Sequence, residues 1–526
     1  MGASNQLLQQ EKSQAAPIRD GIAPVAAANT RRLPLLGQWF VDLEPDPGRA
    51  ALPVVDPSRT DPAAGQLRRL QATGAAAGLA GVLYDNRDRG HSLLPPESFP
   101  QLSQTRYDDS FQKEFLDHGA AGKIHFALPV LGNSSTAYTR PPMDRSLARI
   151  VLADQANAMR AQDLYAANHL YVYPEHRDHD ADLGDRLFAM APFFILSQGS
   201  SYSDRPFLAA AASILAALRP ETREFAEARG LIAPTIQMIL HRTLAGVRSD
   251  ADYLSPAAHP TAIDKTALRP SAMITLANSL TGETLPPMVR LRVVRDLQAR
   301  PGSDYLAANL GERVFTTPSA IGRVWRAFDY TRSISLDASA TLDPNGRSLT
   351  FHWVVLSGDP EHIRITPQDD RAARVDIEID WHDPSSTQAP TAPRTTRVEI
   401  AAFADNGAHV SAPAYFSIAL PIFQNREYDL SGQPARLRAL NYGNDPGDPY
   451  LDPAIWPTAP WTDHLSWSAD GELRIARQRT GEPDLTLVRG AGGFSAPEGP
   501  LVHQALPEQT GPLQLHADPD GRHENQ

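Results

Sequence analysis

No cysteine occurs in the 526 residues. That excludes disulfides, thiolate nucleophiles and cysteine-based zinc or iron–sulfur centres. No run approaches the roughly 20 apolar residues of a bilayer-crossing helix, so no membrane span is expected. Lysine is scarce, and the positive charge is almost all arginine. The 49 basic residues are outnumbered by 61 acidic ones, giving a net charge of −12. That balance argues against a nucleic-acid partner. GxGxxG, Walker A, HExxH and EF-hand patterns are all missing, so no nucleotide cofactor is expected. The opening MGASNQLLQQEKSQAAPIRD has no apolar core of signal-peptide length. Gln6 stands where a myristoylation signal needs Ser or Thr.

What is present is an ordinary globular composition, 42% hydrophobic and 21% charged, long enough for about two to four domains. Residues 1–75 are rich in Ala, Pro and Gln and read as a flexible arm or an extended strap. Residues 76–325 read as a mixed or parallel-sheet α/β domain. Four short apolar runs, 80–84, 124–131, 170–173 and 193–196, each lead into a polar loop, as buried strands do. Helices are expected at 206–218, with Asp204 or Ser203 as N-cap, and at 231–244, beginning near Pro234. The segment 145–168 can hold a helix and a strand, and 287–297 either one. If the four runs are neighbouring parallel strands, their loops converge on one rim, where α/β sheets bind ligands.

Residues 330–420 change character. Short β-prone runs alternate with turns, and Pro344-Asn345-Gly346 is a hairpin-like signal between two of them. About 90 residues of this pattern predict a β-sandwich. The stretch DASATLDPNGRSLTFHW, with its turn and an expected buried Trp353, resembles the PKD-type immunoglobulin-like domain. It departs from that family at Leu356–Pro360, where many members carry a Gly-Asp-Gly turn. The resemblance implies a spacer or binding module, common in exported proteins beside carbohydrate- or protein-degrading domains, and hence a periplasmic or secreted location. A cytoplasmic one stays open, because the chain shows no export signal. The preceding region resembles bacterial proteins that pair such a region with a PKD-like domain, a likeness that carries no activity to these residues. Residues 421–526 read as a loop-rich tail with a hairpin around Asp470-Gly471 and a disordered end.

The densest group of candidate ligands is the loop after Pro174, with His176, Asp178, His179 and Asp185 as metal ligands and His176 also catalytic. Imidazole with carboxylate suits zinc, manganese or iron, and carboxylates with carbonyls suit calcium. The stretch resembles the HxHxDH of metallo-hydrolases, with Asp178 at its second histidine position. The competing view is a solvated acidic loop. In the loop after 80–84, Asp85 is a candidate general base or orienting carboxylate. Arg87, Asp88 and His91 are candidate substrate-binding groups, with an internal salt-bridge network as the alternative. Ser200 and Ser201 are candidate nucleophiles, with Gln198 as a substrate-binding candidate beside them, although no G-x-S-x-G elbow is matched. Asn133 and Ser134 could hold an oxyanion or substrate, or simply start a turn. Tyr171, Tyr173, Phe193 and Phe194 read as core, and His352 as surface.

These readings lead first to a hydrolase acting on a small-molecule, sugar or peptide substrate. Either a divalent metal held by His176, Asp178 and His179 activates water, or Ser200 or Ser201 attacks with His176 or His179 as base and Asp85 orienting it. The other class is a non-enzymatic carbohydrate- or peptide-binding protein using the same rim. The sequence sets no oligomeric state.

Overall fold

The computed structural model describes residues 14–33, 37–119, 123–135, 155–174, 190–306, 311–382, 397–420 and 424–442. It further describes 456–457, 461–479, 481, 483–490, 493–496, 499–500, 502–506 and 514–518. Within the front half, six strands form one sheet: β1 (Ile22–Val25), β2 (Leu83–Asn86), β3 (Ser103–Tyr107), β4 (Val130–Asn133), β5 (His169–Pro174) and β6 (Phe194–Ser197). Their spatial order is β6-β5-β4-β2-β3-β1, and every pairing is parallel. The continuous apolar runs arise because both faces are covered; all six residues of β5 are buried.

Helices α1 (Pro62–Ala72), α2 (Gln155–Ala166), α3 (Arg205–Ala217), α4 (Pro220–Glu227), α5 (Ile232–Arg242) and α6 (Pro270–Ser279) belong to the same unit. Prolines sit in the first turns of α1, α3, α4 and α6, where no intrahelical N–H is lost. Alanine-rich α3 is buried along most of its length, and its small side chains let α1, α5 and α6 approach it closely. No helix among the described residues is long and apolar enough to cross a membrane.

The described part of the expected strap behaves differently. It supplies β1 and α1, and Val25, Val54, Val55 and Leu67 enter the main core. Proline spacing there breaks the chain into short elements without preventing burial of the valines between them.

The second half is built from antiparallel sheets. One comprises β7 (Arg292–Asp296), β10 (Thr331–Asp337), β12 (Ile363–Pro367) and β13 (Arg374–Asp380), in the order β7-β10-β13-β12. The other holds β8 (Arg313–Thr316), β9 (Ala320–Val324), β11 (Thr350–Ser357), β14 (Arg397–Asp405) and β15 (Ala414–Ala419), in the order β8-β9-β15-β14-β11. Strand β9 pairs parallel with β15, whereas the other pairings are antiparallel. The two sheets enclose one apolar core as an immunoglobulin-like sandwich. The sandwich thus takes residues from 289 onward, including β7, β8 and β9 from the span read as α/β.

Two local expectations change here. The Pro344–Gly346 turn closes no hairpin, because β10 and β11 lie in different sheets; it is a crossing between layers. Trp353 is half-buried, its indole N–H donating to the Ala372 carbonyl at 2.8 Å. The core tryptophans are Trp325 and Trp381, edge to face at 5.6 Å.

The five-stranded sheet is buried on both faces. On β14, Val398, Ile400 and Ala402 enter the sandwich core, while Ala401 and Phe403 enter the α/β core. Strand β15 divides likewise, with Phe416 and Ile418 on one side and Tyr415 and Ala419 on the other. Beyond the sandwich, β16 (Gln424–Asp429), β17 (Arg436–Tyr442), β18 (Trp461–Trp467), β19 (Leu473–Arg479), β20 (Leu485–Gly490), β21 (Gly493–Ala496) and β22 (Gly499–Pro500) form an antiparallel meander. Asp470-Gly471 turns β18 into β19, and alternate residues such as Leu465, Leu473 and Ile475 build a separate core. Within the terminal span expected to be disordered, Gln514–Asp518 pairs as a strand with Val502–Leu506.

Histidines mark the joint between the α/β unit and the sandwich. His241, in the last turn of α5, stacks on His259 at 4.8 Å, and His259 packs on Phe403 at 5.1 Å. Tyr253 beside them donates to the Ser411 carbonyl at 2.8 Å. Burial lowers the His241 pKa to about 4 and that of His259 well below its ordinary value. Buried His169 is lowered to about 3 for the same reason. Neutral in the fold, these rings bind protons once unfolded, near pH 6.5. Their stabilisation is therefore complete above about pH 6.5 and falls as pH drops toward about 4, by up to about 1.4 kcal/mol per unit per ring. Urea titrations across that range should show this loss, and His241→Gln should flatten the slope by about one proton.

Candidate functional site

Strand β2 is followed by β3 on one side and β4 on the other, so the chain changes direction between β2 and β4. Such a switch point leaves a crevice at the carboxyl ends of the strands. Asn86 and Asn133 end those two strands and pair across the sheet.

Beneath the crevice lies a charged core. Asp85 is fully buried and accepts from Thr105 Oγ1 at 2.6 Å, Tyr107 Oη at 2.9 Å, Tyr171 Oη at 2.8 Å and Arg87 Nη1 at 3.5 Å. Arg87, 1% exposed, also donates to Tyr107 Oη and to the carbonyls of Leu116 and Gly119. Gly132 makes this packing possible: a Cβ there would collide with the Tyr171 ring and the Asp85 carbonyl. Burial raises the pKa of the Tyr107 and Tyr171 hydroxyls far above the ordinary tyrosine value, so they remain donors. Asp85 was expected as a base or orienting carboxylate, and Arg87 as a substrate clamp. Both are enclosed, as in the internal salt-bridge network weighed as the alternative for this loop, and the four acceptances fill the carboxylate.

The crevice floor is tightly bonded. Asn133 donates to Asp204 Oδ2 at 2.6 Å and to the Ser92 carbonyl at 3.1 Å. Its Oδ1 accepts from Tyr84 Oη at 2.8 Å and Asn86 Nδ2 at 3.0 Å. Asp204, at the N-cap position of α3, gives the helix no cap bond; its carboxylate is held by Ser92 Oγ and Asn133. Burial raises its pKa, against the opposing pull of those two hydrogen bonds. One carboxylate thus ties β4, the loop after β2 and the start of α3 together. The sequence offers Asp204 or Ser203 as the cap, and Asp204 does hold the N-cap position; its side-chain partners, distant in sequence, are what local helix signals do not show.

The loop after β2 is tightly wound, with positive φ at Arg89 (50°), Gly90 (85°) and Ser92 (54°). Asn86 Oδ1 holds it by accepting from the Gly90 N–H at 2.7 Å. Strain of this kind needs surrounding structure to maintain it. It sets His91 outward: Nε2 lies 3.0 Å from Ser201 Oγ, and the ring packs on Tyr202 at 5.3 Å. Tyr202 is itself 52% exposed, has φ 70°, and lies under the Arg205 guanidinium at 4.5 Å.

The other candidates are spread around this pair. Ser200 is exposed one residue before Ser201, and half-buried Gln198 donates its backbone N–H to Ile263. Asp88 accepts from the Ser135 N–H at 3.1 Å and faces His118 at 3.9 Å. Ser134 is buried, its hydroxyl donating to the Arg87 carbonyl at 3.1 Å. Tyr171, Tyr173, Phe193 and Phe194 are all core. His176, Asp178, His179 and Asp185 lie outside the described residues. Among the described residues no three His, Asp or Glu side chains come together as a metal site.

Asp85→Asn should destabilise the protein by about 3–5 kcal/mol in denaturant titrations, because it leaves the Arg87 charge buried and uncompensated. The double variant Asp85→Asn/Arg87→Met should recover part of that loss.

No family model and no curated protein matches the chain. Among solved structures it is similar to a nucleoside hydrolase-related protein from Saccharophagus degradans associated with carbohydrate metabolism, at 13% identity and TM-score 0.18. That match covers 60% of this chain and 66% of the other. It is also similar to the Escherichia coli adhesin FdeC, at 9% identity and TM-score 0.14, over 38% of this chain and 61% of that one. Tandem Ig repeats of Dlar match at 8% identity and TM-score 0.13, over 44% and 97%. The chain thus spans just under two thirds of the first two, and scores this low establish no shared activity.

Proposed function

We propose that the protein is a serine-type hydrolase acting at the carboxyl edge of the parallel sheet, with Ser201 as nucleophile and His91 as base. The observation that carries this reading is the 3.0 Å approach of His91 Nε2 to Ser201 Oγ at a switch-point crevice. On an ester, Ser201 Oγ attacks the carbonyl carbon and its proton passes to His91 Nε2. The tetrahedral species expels the alcohol, which takes that proton. Water, deprotonated by the same nitrogen, then releases the acid and restores the serine hydroxyl. Tyr202 offers an exposed aromatic wall beside the reacting atoms. The immunoglobulin-like sandwich serves, in this reading, as a PKD-type accessory unit.

The experiment is covalent labelling of the full chain with a fluorophosphonate, alongside hydrolysis of a panel of p-nitrophenyl esters. Expected are label on Ser201, turnover abolished in Ser201→Ala, and a loss of about 10²–10⁴-fold in His91→Gln. Chelators should leave turnover unchanged. Full turnover in Ser201→Ala, or activity removed by chelation alone, overturns the serine reading.

A further inference from the structure

A second cleft, of about 730 Å³, opens where the sandwich meets the C-terminal meander. Its size falls within the roughly 300–1,000 Å³ of small-ligand sites. Tyr330, at the lead-in to β10, belongs to one wall, and Trp467, ending β18, to the other. The joint behind it is firm. Arg426 donates to the Ala327 carbonyl at 2.6 Å, and Tyr305, Leu306 and Phe328 from the sandwich side complete the meander core.

The lining has an unusual balance. Its charged groups are three arginines, Arg364, Arg436 and Arg489, and three aspartates, Asp304, Asp329 and Asp380. Arg364 is engaged with Asp380 at 2.7 Å. Arg489 stands 3.8 Å from Asp304, which Arg300 already holds at 3.2 Å. Arg436 is exposed, and its guanidinium sits 5.5 Å from the Trp467 ring centre, with that of Arg489 at 5.4 Å. Guanidinium groups only donate hydrogen bonds and carboxylates only accept them. A ligand matching this wall must do both while carrying no net charge, and must present an apolar face to aromatic rings. Vicinal hydroxyls on a pyranose ring meet all three conditions.

We infer that this cleft is a saccharide-binding site for a neutral oligosaccharide, held between Tyr330 and the stack that Arg436 and Arg489 make on Trp467, and hydrogen-bonded by the arginines and aspartates around it. The site lies apart from the His91–Ser201 pair and stands or falls independently of it. The test is calorimetric titration of the full chain, with tryptophan fluorescence in parallel, using neutral tetrasaccharides of glucose, xylose, mannose and N-acetylglucosamine, and tetragalacturonate as the acidic comparison. Expected is one-to-one binding of a neutral tetramer, weakened about tenfold or more by Trp467→Ala and by Arg436→Ala, and unchanged by Ser201→Ala. Arg436 is exposed, so Arg436→Ala keeps the melting temperature and separates lost binding from lost fold. Three results overturn the inference: no neutral tetramer binding at millimolar concentration, binding that neither cleft variant alters, or binding confined to tetragalacturonate and abolished by salt.

Discussion

The buried pairing of Asp85 with Arg87 is the constraint around which the α/β unit is arranged. Two opposite charges taken out of water are stable only if their remaining hydrogen-bonding capacity is met. Thr105, Tyr107 and Tyr171 meet it for the carboxylate, and the Leu116 and Gly119 carbonyls help to meet it for the guanidinium. Those partners come from β3, from β5 and from the segment after β3, so satisfying one ion pair fixes how neighbouring elements sit on β2. Gly132 on β4 completes the arrangement by giving the Tyr171 ring its space. The strained loop carrying His91 then starts from a rigid base. Asp204 adds a second tie from above by joining that loop to β4 and α3.

Much of the architecture was legible in the sequence. Apolar runs at 80–84, 124–131, 170–173 and 193–196 overlap strands of the front half, because burial on both faces leaves a continuous hydrophobic signal. The antiparallel second half announced itself through turn residues and alternation. The described part of the opening 75 residues departs from an arm or strap because proline content reports local stiffness and says nothing of burial; Val54 and Val55 are buried by contacts distant in sequence. The turn at Pro344–Gly346 was legible as a turn, but which sheets its flanks join depends on pairing partners far along the chain.

The site was less legible for the same reason. Asp85, Arg87, His91 and Asn133 were all marked as chemically notable, yet residue type and spacing cannot tell an enclosed ion pair from an accessible one. Asp85 and Arg87, two residues apart, point into the interior, while His91 is turned outward by a loop with positive φ at three positions. The serines at 200–201 were visible as a strand-to-helix connection. Their histidine neighbour was not, since it comes from a loop more than a hundred residues earlier.

The five-stranded sheet shared by two cores has a consequence for how the chain is made. The α/β unit has left the ribosome long before Phe403, Tyr415 and Ala419, which cover its outer face, are synthesised. At about 5–20 residues per second, the delay between the end of that unit and the arrival of β15 is on the order of ten seconds. Throughout that interval the α/β core has not yet received these residues. Vectorial synthesis therefore favours either a chaperone on the nascent chain or a front half that completes its packing only when the later strands arrive.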